Sequence, residues 1–229
     1  MFITQKCPYI NCYITYNKTF IDSEYFDAVV FEAREIFHVK IDNFNLTRSP
    51  DQKYIFKSLE PSEYLPVCHG IYDSFFNWTW TYKLNSDITH TFINIYNDKD
   101  KLIGPDRNLN WISKMNRTEQ FTNVVKRKTK AVAWFIGKCK VKSKHREFID
   151  DLIKELKAYN YTIDTFGPCG RTQCEKGQNE LCHKTIESDY YFQLVLEEST
   201  SEDFVTERLA KVLSYLTIPI VSGEVDYGR

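Results

Sequence analysis

Apolar and polar positions follow a regular pattern in the second half of the chain. Short continuous apolar runs, bounded by polar or turn residues, predict buried strands there. Residues 144–160 and 203–216 repeat apolar side chains at helical spacing, which predicts two amphipathic helices. The order strand, helix, strand, strand, helix, strand is typical of half of an open parallel α/β sheet. The predicted strands occupy residues 131–137, 161–167, 190–197 and 218–223.

The first half of the chain is strand-like, aromatic and less regular. Residues 26–34 and 52–61 predict two buried strands, whereas the pattern of residues 75–88 fits either a strand or a loop. Residues 121–130, FTNVVKRKTK, are polar and basic, and we predict that they form a linker. The predicted domains are therefore residues 1–120 and residues 121–229.

Composition excludes several classes of protein. The 229 residues are 42% hydrophobic and 15% aromatic, enough for a substantial core and too apolar for a disordered chain. A net charge of −1 gives no field that would draw the protein to nucleic acid or membrane. The basic stretches VVKRKTK and KCKVKSKHR leave a nucleic-acid binder as an alternative, but solvated basic segments are common. No apolar run is long enough to span a bilayer.

Cysteines and glycosylation sequons point to a lumenal protein, whose membrane anchor we expect to lie outside this sequence. The chain has seven cysteines and five Asn-x-Thr sequons. No apolar leader precedes them. The sequons begin at Asn17, Asn45, Asn77, Asn116 and Asn160.

Three cysteines crowd into one segment, and we predict that they form disulfide bonds, or one disulfide bond with one thiol left free. They are Cys169, Cys174 and Cys182. Together with His183 they also offer the ligand types of a metal-binding module, but their spacing is not a standard zinc spacing. Near the start of the chain, Cys7 and Cys12 either pair or are simply buried.

The starts of the two predicted helices are candidate ligand positions, because ligands of parallel sheets bind at the carboxyl ends of strands. At the second start, a capping box of Ser199 and Glu202 is predicted. Glu207 offers a carboxylate that can accept two hydrogen bonds from a ribose diol, and Arg208 offers a guanidinium that can grip phosphate oxygens. A solvated ion pair on an exposed helix explains the same two residues equally simply.

Residues 190–223, YYFQLVLEESTSEDFVTERLAKVLSYLTIPIVSG, resemble the donor-binding signature of the α1,3-fucosyltransferases of glycosyltransferase family 10. Three other stretches resemble motifs of this family in the same order, between about Cys7 and Gly223. The cysteine cluster is similar to that of the invertebrate core-type branch. The three stretches are YIFKSLEPSEYLP, FFNWTWTYKLNSDI and AVAWFIGKC.

The resemblance implies an α/β fold of the GT-B type, in which two Rossmann-like domains face a cleft. The first would be the acceptor side and the second the GDP-fucose-binding side, here incomplete. It implies transfer of fucose from GDP-fucose to a GlcNAc hydroxyl of an N-glycan or glycoprotein, with inversion and without a metal or other cofactor. It also implies a membrane-anchored enzyme of the Golgi lumen. Core and outer GlcNAc both stay open as acceptors, and the cysteine cluster favours the core.

The family's functional positions fall on residues of this chain. Glu60 matches the proposed general base, Glu207 the ribose ligand and Arg208 a phosphate-binding lysine. The arginine that holds the β-phosphate aligns with His145, and Arg146 follows it.

Three departures from the family's pattern affect the donor side, and His145 in place of the arginine that holds the β-phosphate is the first. Glu198 stands where the family has an asparagine, and Phe204 where it has a tyrosine. A second carboxylate beside a diphosphate would be repelled by it. The departures leave an alternative hypothesis: a fragment or paralogue that retains the fold and has lost the activity.

Overall fold

The computed structural model describes residues 2–4, 7–17, 19–38, 47–106, 108, 119–137, 139, 143–174 and 179–227. Two four-stranded sheets, one in each half of the chain, contain only parallel strand pairs. They confirm the predicted α/β class and agree with two Rossmann-like units of the GT-B type.

The first sheet follows the order of the chain. Its strands are β1 (Ala28–Glu32), β2 (Lys53–Ser58), β3 (Trp78–Thr81) and β4 (Ile88–Thr89), and they pair in that order. The two predicted strands are confirmed as β1 and β2, and the ambiguous segment at 75–88 contains β3 and the start of β4. A short helix, α1 (Ala33–His38), follows β1 directly. An aromatic cluster around buried Phe31 and Tyr54 packs against this sheet.

The second sheet is the one that the apolar pattern predicts best. In chain order, a small antiparallel pair of strands and a helix come between the strands of the first sheet and those of the second. They are β5 (Ile95–Tyr96), β6 (Leu102–Gly104) and α2 (Glu119–Val125). The strands of the second sheet are β7 (Lys130–Phe135), β8 (Ile163–Phe166), β9 (Tyr190–Leu196) and β10 (Ile218–Ser222), in the spatial order β10-β9-β7-β8. All four predicted strands are confirmed.

Helices cover both faces of the second sheet. The predicted α3 (Ser143–Ala158) is confirmed and packs on one face through Ile149, while α5 (Glu207–Leu213) packs on the other through Leu209 and Val212. A further helix, α4 (Asn179–Asp189), was not predicted and lies on the same face as α5. The strand–helix alternation gives the sheet the cover that a parallel sheet needs.

The predicted start of the last helix at residue 203 is wrong. Asp203 has a positive φ of 61°, and α5 begins only at Glu207. The Glu197 carboxylate accepts hydrogen bonds from the Thr206 backbone N–H (2.9 Å) and hydroxyl (2.8 Å), which holds Thr206 extended. Thr206 then caps the helix by accepting from the N–H of Arg208, so the predicted capping box of Ser199 and Glu202 is also wrong.

The segment 121–130 is not a solvated linker throughout. Its first half lies within α2, which crosses the predicted boundary at residue 120, and the division into 1–120 and 121–229 stays a prediction. Lys128 is only 4% exposed, and its ammonium donates hydrogen bonds to the carbonyl oxygens of Glu187 and Tyr190. Burial lowers the pKa of Lys128. This lysine therefore ties the end of α4 to the start of β9.

Replacing Lys128 with methionine is expected to lower the free energy of unfolding by about 1–3 kcal/mol, because two buried carbonyl groups lose their donor. Urea denaturation measures the change. Lys126, exposed on the same segment, is the matched control, and Lys126→Met should change stability by less than about 0.5 kcal/mol. Equal stability of both variants would contradict a structural role for the Lys128 ammonium.

Two disulfide bonds hold the loops of the second sheet. Cys174 pairs with Cys182, and Cys169 pairs with Cys139, a partner that the sequence did not reveal. These bonds leave the proposed metal module without its thiolate ligands, so that alternative is wrong. Within the described ranges, no cluster of three or more His, Cys, Asp or Glu side chains could hold a metal ion.

Cys7 and Cys12 are neither paired with each other nor buried, contrary to both expectations for them. The sequons at Asn45 and Asn116 lie outside the described residues. Across the part of the chain that the structure describes, we find no helix with the length and apolar character needed to cross a membrane.

Candidate functional site

A cavity of about 890 Å³ opens at the carboxyl edge of the second sheet. Its walls are the ends of β7 and β9, the first turn of α3, and the facing sides of α4 and α5. Tyr64, from the loop after β2, also lines it. The cavity is thus at the position where open parallel sheets bind ligands.

The two charged residues at the start of α5, Glu207 and Arg208, both line this cavity. Glu207 is exposed, whereas Arg208 is half-buried. One guanidinium nitrogen of Arg208, Nη1, donates to the Leu196 carbonyl oxygen at 3.2 Å, and Nη2 forms an ion pair with the Glu198 carboxylate. The guanidinium is therefore fixed over the end of β9, beside the Glu198 carboxylate.

The two glutamates that follow β9 have different roles in the structure. Glu197 is 2% exposed, and burial raises the pKa of its carboxyl group. Its hydrogen bonds to Thr206 fix the residue that precedes α5. The Glu198 carboxylate lines the cavity beside Arg208. The carboxylate that was predicted to repel a diphosphate is thus ion-paired with Arg208.

His145 lies in the first turn of α3 and is buried at the cavity wall. Its Nε2 forms a hydrogen bond with the Glu197 carbonyl oxygen, so this nitrogen carries the proton and donates. The next residue, Arg146, is exposed and is not among the described residues that line the cavity. Of this pair, the structure brings His145 to the site.

Phe204 also lies away from the cavity lining, among the residues that the structure describes. It is buried and packs edge-on against Tyr82, with ring centroids 5.0 Å apart. Next to it, the Asp203 carboxylate accepts a hydrogen bond from the Leu84 N–H at 3.1 Å. Phe204 therefore joins the segment before α5 to the loop that follows β3.

Glu60 lies at the carboxyl end of the first sheet, just after β2. Its backbone N–H donates to the Ser58 hydroxyl, and its carboxylate forms an exposed ion pair with Arg34. The Glu60 side chain is not among the described residues that line the cavity, but Tyr64, four residues further on, is. Four residues span at most about 14 Å, so Glu60 lies within that distance of a residue that lines the cavity.

The loop that carries Glu60 is bound to the second sheet's loop. The Tyr64 hydroxyl donates to the Glu198 carbonyl oxygen at 2.7 Å, and Glu63 accepts from the Ser199 hydroxyl at 2.9 Å. The carboxyl edges of the two sheets therefore face each other across the site.

Two cavity residues, His183 on α4 and Gln193 on β9, were not predicted as ligand contacts. His183 was considered only as a metal ligand. Both are buried, and burial lowers the pKa of His183. A polar glutamine within an otherwise apolar strand was the signal in the sequence that could have identified Gln193. No comparable signal marks His183.

One side of the cavity is closed by contacts between α4 and the end of α5. The Glu180 carboxylate accepts hydrogen bonds from the Lys211 ammonium at 2.7 Å and from the Tyr215 hydroxyl at 2.8 Å. The charge of Lys211 is thus paired with Glu180 on α4, whereas Arg208, at the opposite end of the helix, is paired with Glu198 at the end of β9.

Two family models match the chain in succession. The model for the fucosyltransferase N-terminal region matches residues 1–93, and the model for the glycosyltransferase family 10 (fucosyltransferase) C-terminal region matches residues 125–229. The two parallel sheets and the matched regions agree with a fold of the GT-B type. The chain belongs to glycosyltransferase family 10, the fucosyltransferases.

Three proteins that are similar to the chain are named as fucosyltransferases. The chain is 31% identical to alpha-(1,3)-fucosyltransferase C of Drosophila melanogaster, over 97% of this chain and 52% of that protein. It is 30% identical to alpha-(1,3)-fucosyltransferase fut-5 of Caenorhabditis elegans, over 95% of this chain and 53% of that protein. Glycoprotein 3-alpha-L-fucosyltransferase A of Drosophila melanogaster is 24% identical to the chain, over 97% of this chain and 39% of that protein. The chain spans about half the length, or less, of these relatives.

Proposed function

We propose that the protein transfers fucose from GDP-fucose to a GlcNAc hydroxyl of an N-glycan, in an α1,3 linkage and with inversion. The observation that carries this proposal is the shared cavity of Glu207, Arg208 and His145, faced by the loop that begins at Glu60. The names of the relatives support fucose transfer as the reaction class. The family resemblance supports the donor, the N-glycan acceptor and a membrane-anchored location in the Golgi lumen.

The donor would bind with its diphosphate beside Arg208 and its ribose beside Glu207. The guanidinium of Arg208 is held by a carbonyl oxygen and can exchange its ion pair with Glu198 for phosphate oxygens. His145 would line the diphosphate site with its ring, whose Nε2 donates to the Glu197 carbonyl oxygen. The guanidinium of Arg208 would stabilise the negative charge that develops on the leaving GDP.

Glu60 would accept the proton of the attacking GlcNAc hydroxyl. An inverting transfer needs a base on the side of the sugar opposite the leaving group, and Glu60 approaches the cavity from the opposing sheet. Its ion pair with Arg34 orients the carboxylate at the end of β2. The proton leaves the acceptor oxygen as that oxygen bonds to the anomeric carbon and GDP departs.

A second candidate function is a family member that retains the fold without the activity. The observation that favours it is the ion pair between Glu198 and Arg208, which occupies the guanidinium that the donor needs.

Binding of GDP by the folded chain, followed by a transfer assay, separates the two candidates. Incubation with GDP-fucose and an N-glycan should add one deoxyhexose to the glycan, detected by mass spectrometry. Binding of GDP without any transfer would favour the inactive member.

Replacing Glu198 with asparagine is expected to raise GDP affinity about tenfold. The substitution removes a charge that competes for Arg208 and repels phosphate, and tenfold corresponds to about 1.4 kcal/mol, which allows for solvent screening of this half-exposed pair. Calorimetric titration measures the change. Glu202, an exposed partner of Lys83, supplies the control: Glu202→Gln should leave GDP affinity unchanged. Unaltered affinity in Glu198→Asn would refute the competition.

A further inference from the structure

The turn between α3 and β8, residues 159–162, contains the sequon that begins at Asn160. Asn160 has a positive φ of 62°, which asparagine tolerates better than most residues, and its N–H donates to the Lys157 carbonyl oxygen at 3.1 Å. The Tyr161 N–H donates to the Leu156 carbonyl oxygen at 2.9 Å. These bonds end α3 and fix the backbone of the turn. The backbone thus accounts for an asparagine at this position, but not for the threonine two residues later.

The Asn160 side chain differs from those of the two other sequon asparagines that the structure describes. The Asn77 carboxamide oxygen accepts a hydrogen bond from the Tyr54 N–H at 2.8 Å, and the Asn17 oxygen accepts from the Thr19 hydroxyl at 2.8 Å. Asn160 is exposed, and its carboxamide forms no hydrogen bond with any residue in the described ranges. Its amide nitrogen is therefore accessible at the surface of the folded chain.

Two exposed tyrosines flank this asparagine. Tyr159 is 72% exposed and Tyr161 is 54% exposed. The third residue of the sequon, Thr162, is also exposed, and its hydroxyl donates a long hydrogen bond of 3.4 Å to the Asp164 carboxylate. Neighbouring aromatic rings at the surface offer apolar faces for a partner to cover. The apolar C–H faces of sugar rings are a suitable partner, so the turn combines an attachment point with a surface on which sugars can pack.

The turn lies far from the cavity. Helix α3 has His145, a cavity residue, in its first turn and ends at Ala158, directly before the turn. At the rise of an α-helix, these two residues are about 20 Å apart. The turn leads into β8 at Ile163 and therefore belongs to the amino edge of the sheet, whereas the cavity is at the carboxyl edge. A bulky group on Asn160 would leave the cavity open.

We propose that Asn160 carries an N-linked glycan whose first sugars pack on Tyr159 and Tyr161. The Asn160 Nδ2 forms a bond to the anomeric carbon of a lipid-diphosphate-linked oligosaccharide, and the bond from that carbon to the diphosphate breaks. The diphosphate leaves with the electron pair, and Nδ2 gives up one proton to a base of the transferring enzyme. The proposal uses the lumenal location that belongs to the proposed function, but it does not depend on fucose transfer.

The test is expression of all 229 residues behind a secretory leader in eukaryotic cells, followed by site mapping. Peptide N-glycosidase converts a glycosylated asparagine into aspartate, which peptide mass spectrometry locates. Most copies of the wild-type chain should show this conversion at Asn160. Thr162→Ser should retain it and Thr162→Ala should abolish it, although both variants keep the asparagine and its turn. Asn160→Gly also removes the acceptor amide and keeps a residue that favours positive φ.

Thermal unfolding tests the packing of the sugars on the tyrosines. Enzymatic removal of the glycan from the wild-type chain should lower Tm by about 2–4 °C, a shift that a modest loss of stability produces in a chain of this size. A double variant, Tyr159→Ser with Tyr161→Ser, should lose this difference. Tyr96→Ser is the matched control, because Tyr96 is similarly exposed, at 56%, but lies on β5, and this variant should retain the difference.

The outcomes separate this proposal from the proposed function. An unmodified Asn160 in wild-type chain recovered from the secretory lumen overturns the glycan and leaves fucose transfer untouched. Equal Tm values with and without the glycan overturn its packing on the tyrosines. Thr162→Ala should bind GDP with wild-type affinity, because the turn and the cavity lie at opposite edges of the sheet. A chain that carries the glycan and binds no GDP would overturn the proposed function alone.

Discussion

Replacing Glu60 with glutamine is expected to reduce fucose transfer by about 10²–10⁴-fold, the usual contribution of a general base. GDP affinity should not change, because the Glu60 side chain does not line the cavity in the described part of the chain. The substitution preserves the shape of the side chain and removes its ability to take a proton. Transfer is measured with labelled GDP-fucose, and GDP binding by calorimetry.

The control for this variant is Glu32→Gln. Glu32 pairs with Lys57 on the same sheet, and its side chain is 38% exposed, as is that of Glu60. Loss of either ion pair should cost little stability, since both are partly exposed to solvent. If Glu60→Gln retained wild-type transfer, the base would have to be another group. If both variants lost transfer equally, the effect would be one of structure and not of proton transfer.

Replacing Arg208 with methionine is expected to lower GDP affinity about 100-fold. The guanidinium supplies charged hydrogen bonds to the diphosphate, and such bonds contribute about 1.5–3 kcal/mol each. A factor of 100 corresponds to about 2.7 kcal/mol. Methionine retains most of the apolar stem of the side chain, so the packing around α5 is preserved. Calorimetric titration with GDP measures the effect.

Lys211 is the matched control for Arg208. It lines the same cavity, carries the same charge and is likewise paired with a glutamate, Glu180, but it lies at the opposite end of α5, away from the carboxyl edge of the sheet. Lys211→Met should therefore change GDP affinity by less than about threefold, by the usual modest contribution of such pairs. A comparable loss in both variants would show that GDP responds to the net charge of the cavity. An unaffected Arg208→Met would remove this arginine from the donor site.

The second sheet was predictable because its strands are continuous apolar runs. Strands β7 and β9 are buried on both faces between helices, and burial of that kind leaves a direct signal in the sequence. The helix α3 was equally clear from its apolar stripe. The first sheet was predictable only in β1 and β2, because β3 and β4 are short and contain no fully buried residue.

The start of α5 could not be predicted from local sequence. Residues 199–203 contain several good capping residues, but the helix begins after Thr206. The decisive contact is the buried carboxylate of Glu197, nine residues before Thr206 in the chain, and only the folded β9–α5 loop brings them together. Lys128 was misjudged for a similar reason: the carbonyl groups that accept its hydrogen bonds lie in a distant segment.

The candidate site was predictable in part. The resemblance placed Glu207, Arg208, Glu198 and His145 in the donor region, and all four line one cavity. Phe204 packs against Tyr82 instead, a contact that depends on how the two sheets meet. The cavity residues of α4 were not predicted, because apolar positions are sparse in that helix and the sequence did not indicate the helix itself.

The central claim is that the cavity at the carboxyl edge of the second sheet binds guanosine diphosphate. Calorimetric titration of the folded wild-type chain with GDP tests it most directly. We expect saturable binding of one GDP per chain, and protection of the chain against thermal unfolding as GDP concentration rises. A folded sample that releases no binding heat and gains no thermal stability at millimolar GDP would contradict it.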